Sequence, residues 1–157
     1  MSMRTFVWGA LGIALLVLGA APVDAQKPAG VIDTLDAEWS GVETDLLEVR
    51  RMSDNTIRVR WRWRNNGDKE VGLYAADAAD LLRTETYLLD PVNKKKLLVV
   101  TDAKGRPIGT DIGMSFRVKP KESYAAWAKF PAPPANVEKI TVVIAKTPPF
   151  EDVPIAK

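Results

Sequence analysis

Residues 56–64 (TIRVRWRWR) alternate without a break: Ile57, Val59, Trp61 and Trp63 share one parity, and Arg58, Arg60, Arg62 and Arg64 the other. Period-two alternation of β-branched and aromatic residues with charged ones predicts a strand with one face buried and one wet. A helix would scatter the same residues around its circumference. The expected partner strand is 44–51 (TDLLEVRR), joined across Ser53-Asp54-Asn55, a short loop whose last position suits Asn in a left-handed conformation. A register that keeps the faces pure sets Val49 opposite Val59 and Leu47 opposite Trp61, with Glu48 facing Arg60 on the wet side. A slip of one residue would mix the faces.

Downstream, Asn65-Asn66-Gly67-Asp68 reads as a turn before a short strand at 71–74. Residues 75–83 (AADAADLLR) form the one stretch with helical character, and Asp77 is placed to cap it. Further strands are expected at 86–89 and 97–101, on either side of Asp90-Pro91-Val92-Asn93. After a turn at 102–105 come strands at 115–118, 124–130 and 139–145. The run PAPP at 131–134 separates the last two, because proline cannot join a central ladder. Residues 150–153 lie between prolines and suit an edge. Short strands with turn signals every ~8–12 residues predict an all-β antiparallel sandwich of about 7–9 strands, with at most one short helix. A parallel α/β fold would need repeated crossover helices.

Hydropathy changes character at the N-terminus. Arg4 precedes an apolar run of 16 residues at 6–21, followed by Pro22-Val23-Asp24-Ala25 with small residues at the positions of a cleavage site before Gln26. That order of parts is a secretory signal peptide, and the run falls short of the ~20 residues that span a bilayer. The expected organisation is a signal peptide at 1–25, a flexible segment at 26–41 and one domain at 42–157. Cleavage would leave 132 of the 157 residues, with 21 basic and 19 acidic side chains and a net charge still of +2. This balance argues against nucleic acid as a partner. After cleavage no other segment approaches spanning length.

The chain has no cysteine and no histidine. Their absence removes disulfides, lipoprotein anchoring, Ser-His-Asp and Cys-His catalysis, and zinc sites built from imidazole or thiolate. Copper would have to use Met52 and Met114, which are 62 positions apart. An exported domain without disulfides fits a bacterial periplasm or the medium, with its core alone to hold it.

Four segments carry a resemblance: VRWRWRNNGDKEV (59–71), YLLDPVNKKKLLVVTDAKG (87–105), WAKFPAPP (127–134) and PPFEDVPI (148–155). With these the chain resembles the secreted bacterial immunoglobulin-like β-sandwich domains of unknown function. It is also similar to the segment preceding peptidoglycan-binding domains in some outer-membrane proteins. The resemblance implies an immunoglobulin-like sandwich and brings no catalytic residues with it.

Candidate chemistry is sparse. Arg58, Arg60, Arg62 and Arg64, spaced ~7 Å along one strand face, could grip an anionic polymer. The competing reading is a solvated face neutralised by Glu48 and other acids on the neighbouring strand. Lys94-Lys95-Lys96 reads as a solvated loop tip. Trp39, beside Ser40-Gly41, is the candidate exposed aromatic for stacking on a glycan. Trp61 and Trp63 belong to the core, and Trp127 is out of phase with Tyr124, Ala126, Ala128 and Phe130. Asp102 and Asp111 flank a glycine-containing loop but lack the ligand spacing of a calcium site, so no metal, cofactor or catalytic residue is expected. The functional expectation is an exported, non-catalytic binding or interaction module whose partner is an envelope protein or glycan. The alternatives are a structural or accessory subunit of an envelope complex and, more remotely, a carboxylate-based hydrolase.

Overall fold

The computed structural model describes residues 30–73, 82–110 and 116–157. The expected leader and its expected cleavage site, Asp111 and all but the last two residues of the segment 75–83 lie outside them. Within the described residues the chain forms ten strands: β1 (Asp33–Asp36), β2 (Val42–Arg51), β3 (Thr56–Asn65), β4 (Val71–Leu73), β5 (Tyr87–Asp90), β6 (Lys95–Leu98), β7 (Phe116–Val118), β8 (Ser123–Pro131), β9 (Lys139–Val143) and β10 (Phe150–Pro154). They build two four-stranded sheets, in the orders β1-β2-β3-β8 and β10-β9-β5-β6, and a small pair β4-β7. All pairings between these strands are antiparallel. The all-β architecture is as the alternation predicts.

The two larger sheets turn their apolar faces onto one core. From the first come Val42, Leu46, Val49, Ile57, Val59, Trp61, Trp63, Ala126, Ala128 and Phe130; from the second come Leu88, Ile140, Val142, Phe150 and Val153. Trp61 and Trp63 are fully buried and meet edge to face at 5.7 Å and 88°, the arrangement that ring quadrupoles favour. Thr44 and Thr147 share a buried hydroxyl–hydroxyl hydrogen bond of 2.7 Å, so their polar atoms are paired inside the core.

The β2–β3 hairpin departs from the expected register in one respect. Val49 opposes Val59 and Glu48 opposes Arg60, as the alternation requires, but Trp61 is opposed by Leu46 rather than Leu47. A bulge at Leu47 shifts the phase of β2 by one residue. On one side of it Val49 points inward; on the other, Val42, Thr44 and Leu46 do. The consecutive pair Leu46-Leu47 cannot alternate, and the bulge resolves the conflict by leaving one of them unpaired. The turn behaves as expected: Asn55 has φ 56°, and the Met52 amide donates to the Thr56 carbonyl at 2.9 Å.

Two other boundaries differ. The segment 26–41 is not wholly a flexible lead-in, because Asp33–Asp36 pairs with β2 as an edge strand. Its mixed sequence DTLD hides the strand, which owes its existence to the open edge it covers. Strand β6 begins at Lys95 and ends at Leu98, so Lys95 and Lys96 lie in a strand and only Lys94, with φ 52°, closes the turn. The final strand β10 is an edge, as its prolines indicate, and it runs on to tie the sheets together. Arg51 donates its backbone N–H to the Ala156 carbonyl, and Ala156 donates to the Val49 carbonyl, both at 2.8 Å.

Two side chains pin loops against this frame. Asn65, buried at the end of β3, donates to the carbonyls of Lys69 and Val118 at 2.7 and 2.9 Å and accepts from the Gly67 amide. The Arg51 guanidinium donates to the carbonyls of Pro133, Pro134 and Val137 at 2.7, 2.9 and 3.0 Å, and these bonds fix the proline-rich connection. Gly41, at φ +77°, lets its turn approach the Gly67 backbone; a Cβ there would sit 3.1 Å from the Gly67 Cα.

The faces of β3 predict a sharp contrast in mutational cost. Trp61→Ala is expected to lose about 3–5 kcal/mol, whereas Arg60→Ala, whose side chain is half exposed, is expected to lose about 0.5 or less. Denaturant titration of the purified variants measures both, and equal small losses would contradict the assignment of faces.

Candidate functional site: an arginine–carboxylate face on the first sheet

The outer face of the first sheet is built by β1, β2, β3 and β8. Beyond the bulge β2 turns Glu43 and Asp45 outward, and before it Glu48, so the acids of β2 stand against the arginines of β3: Glu43 opposite Arg64, Asp45 opposite Arg62 and Glu48 opposite Arg60. Asp45 is the centre of the group. Its carboxylate is fully buried beneath Arg62 and Arg64, accepting from Arg62 Nε at 2.6 Å, from Arg64 Nε at 2.7 Å and Arg64 Nη2 at 3.0 Å, and from the Thr34 hydroxyl at 2.8 Å. Arg64 Nη2 also reaches Glu43 at 2.6 Å.

A second group lies nearer the turn. Arg58 Nε donates to Glu48 at 2.6 Å, while Arg60 is 4.0 Å from the other Glu48 oxygen and is the most exposed of the four arginines. Burial alone would raise the pKa of Asp45, but the hydrogen bonds from Arg64, Arg62 and Thr34 outweigh it and hold the carboxyl below its ordinary 3.8. For Glu48 the hydrogen bond from Arg58 dominates in the same direction. Reciprocally, Asp45 raises Arg64, and Glu48 raises Arg58.

This arrangement fixes three of the four charges. Three of the arginines spend guanidinium hydrogen bonds on acids of the same sheet, and Arg60 alone extends largely into solvent. Lys129 on β8 is likewise held by Asp54 at 2.6 Å.

The other residues singled out by sequence fall elsewhere. Trp39 is half-buried, its ring edge-on to Trp63 at 6.3 Å and 74°. Trp127 pairs in register with Arg60 and is partly exposed on the outer face. Its amide donates to the Thr110 hydroxyl at 2.9 Å. Asp102 organises its own turn, accepting from the amides of Lys104 and Arg106 and from the Arg106 guanidinium at 2.8–2.9 Å; these bonds, led by the Arg106 amide, lower its pKa. Its oxygens are therefore already engaged. Among the described residues no cluster of three or more acids is gathered in metal-binding geometry.

Sequence reasoning did not foresee Glu43, Asp45 or Asp90 as organising residues. The signal for the first two was their spacing: Glu43, Asp45 and Glu48 match the arginines only if one residue between Asp45 and Glu48 is skipped. Asp90 is buried and holds the β5–β6 turn, accepting from the amides of Val92 and Asn93 at 3.0 Å and from the Asn93 side chain at 2.7 Å. Burial works against its charge, yet these bonds keep its pKa low.

The geometry defines an all-β antiparallel domain carrying an arginine–carboxylate ion-pair face. No family model matches the chain, and no curated protein matches it. Among solved structures it is similar to the yjhA protein from Bacillus subtilis, at 13% identity, with 74% of this chain and 79% of that one covered and a TM-score of 0.46. At that level the likeness assigns neither a family nor an activity.

Two outcomes follow from the ion-pair face. The wild-type protein is expected to pass through heparin at physiological salt, because releasing counterions requires arginines not already neutralised. Asp45→Asn combined with Glu48→Gln is expected to gain retention. In addition, Asp45→Asn is expected to cost about 2 kcal/mol near neutral pH, as a buried charge-assisted bond does. Since the folded pKa of Asp45 is depressed, its contribution is full above the unfolded value of 3.8 and is lost as pH falls through the folded value. Urea titrations between pH 2 and 7 are therefore expected to show wild type and Asp45→Asn converging at the acid end; a constant gap would contradict this account.

Proposed function

We propose that the chain is an exported, non-catalytic interaction module of the bacterial envelope, built on an immunoglobulin-like β-sandwich. The observation that carries the reading is the contrast between the two outer faces. On the first sheet Arg58, Arg62 and Arg64 are held by carboxylates of the same sheet. On the second, Leu89, Val92 and Leu98 stand exposed on a single hairpin, and exposed apolar groups gathered on one element mark contact surfaces. The hairpin is held for contact in advance, since the Asp90 hydrogen bonds fix its turn and so reduce the ordering cost of binding.

The carboxylates support the non-catalytic part of the reading. Asp45, Glu48, Asp54, Asp90 and Asp102 all lie below their ordinary pKa, whereas a general acid needs a raised one. The leader at 1–25 supports export, and the two four-stranded antiparallel sheets around one core support the sandwich class.

The test is location and contact together. In a cell that exports it, the protein is expected outside the cytoplasm with an intact mass that begins at Gln26. A photo-crosslinking side chain at Leu98 is expected to capture an envelope component, while one at Arg60 does not. A cytoplasmic chain retaining residues 6–21, or equal capture from both positions, would overturn the reading.

A further inference from the structure

The same hairpin carries a second feature. Lys94, Lys95 and Lys96 are consecutive and exposed, and none makes an ion pair among the described residues. Arg58, Arg60, Arg62, Arg64, Arg106, Arg117, Lys121, Lys129 and Lys146 each meet a carboxylate within 4.0 Å, and what sets the three lysines apart from other cations without an ion pair is that they stand together beside exposed apolar side chains. Asp90, which stands across the strands from Lys95 and feels its charge, spends its hydrogen bonds on the turn. Lys96 lies over the Tyr87 ring at 3.7 Å, an attraction that orients the ammonium without neutralising it.

Apolar side chains accompany these cations in a regular way. On the outer face of the second sheet the register lines up Leu98, Tyr87 and Val143 in one cross-strand row and Lys96, Leu89 and Thr141 in the next. Beyond the second row, at the tip, Val92 is 59% exposed. The acids of β10, Glu151 and Asp152, lie at the opposite edge of the sheet. One end of the molecule therefore presents an apolar tip flanked by three lysines that make no ion pair within 4.0 Å, of which Lys95 stands across from Asp90 and Lys94 and Lys96 face no acid in the register.

We propose that the β5–β6 hairpin docks on an anionic phospholipid surface, with Val92 and Leu89 entering the headgroup boundary and Lys94, Lys95 and Lys96 meeting lipid phosphates. Charge complementarity selects this occupant: a protein groove would cover the apolar rows alone, whereas a negatively charged leaflet answers both the apolar tip and the lysines around it. Each lysine near such a surface strengthens attachment roughly fivefold, and one hairpin with no lipid chain gives weak, reversible attachment. The proposal rests on the envelope reading and names a partner for it. Its assay does not depend on export, so either can fail alone.

The experiment is co-sedimentation of the purified protein with vesicles of phosphatidylglycerol and phosphatidylcholine and with vesicles of phosphatidylcholine alone. Binding is expected only to the anionic vesicles and is expected to fall as salt rises. Changing Lys94, Lys95 and Lys96 together to Gln is expected to weaken it by roughly 100-fold. Val92→Ser, which removes the apolar contact without changing charge, is expected to weaken it at unchanged salt dependence. Both changes lie on exposed positions, and an unaltered unfolding midpoint confirms folding. Equal binding to both vesicle types, no binding to either, or full binding by the triple variant would overturn the proposal. Self-association through this hairpin, seen by sedimentation and abolished by Leu98→Asp without vesicle binding, would replace lipid with a second copy.

Discussion

The one-residue bulge at Leu47 is the constraint on which the first sheet depends. Without it, Asp45 would fall opposite Trp63 and enter the core, where an unpaired carboxylate costs several kcal/mol or is forced to take up a proton. With it, Asp45 moves to the outer face between Arg62 and Arg64, and Thr44 replaces it inside with its hydroxyl bonded to Thr147. The same phase shift lets Leu46 cover Trp61 while Val49 still covers Val59. A local irregularity thus decides both what the core contains and which charges meet on the surface.

The two sheets share a core and are also joined by segments that cross between them. Ala156 bonds the edge of β2 at Val49 and Arg51, so the chain that leaves the second sheet at β10 ends against the first. Val100 donates to the Lys129 carbonyl, and Lys129 in turn donates to Ile108, which lays residues 100–110 along the far edge, β8. Gly109 makes this approach possible, since a Cβ there would lie 2.6 Å from the Trp127 carbonyl oxygen. Edges covered in this way are shielded from pairing with other chains.

Much of this was legible in residues 56–64, because alternation at period two is enforced by burial on one face and needs no tertiary information. The turn at Asn55 was legible for a local reason, the tolerance of Asn for positive φ. What was not legible depended on partners distant in sequence. Strand β1 has no pattern of its own and is made by the edge of β2. The bulge could have been inferred only by matching the acids of β2 to the arginines of β3, which presumes the hairpin that it modifies. Lys95 and Lys96 read as loop because lysine is a poor strand former, but pairing with Asp90 and Leu89 carried the strand to them. As for the site, the arginines were visible at once and their neutralisation only in part: Glu48 was foreseen opposite Arg60, while Asp45, which holds two of the four, was not.

A net charge of +2 describes this molecule poorly, because what matters for recognition is which charges lack a partner. The most conspicuous cations in the sequence are consumed by intramolecular bonds of 2.6–3.0 Å, and this consumption stiffens a face rather than offering it. The less conspicuous lysines at the β5–β6 turn have no such partners, and they sit beside side chains that water solvates badly. Arginine, with a planar fork suited to carboxylates, is placed where fixed geometry is needed; lysine, a mobile and strongly hydrated point charge, is placed at the projecting tip. The division of labour between the two cations follows from the chemistry of their heads. It makes the hairpin, not the arginine ladder, the part of the surface whose electrostatics are left for another molecule to complete.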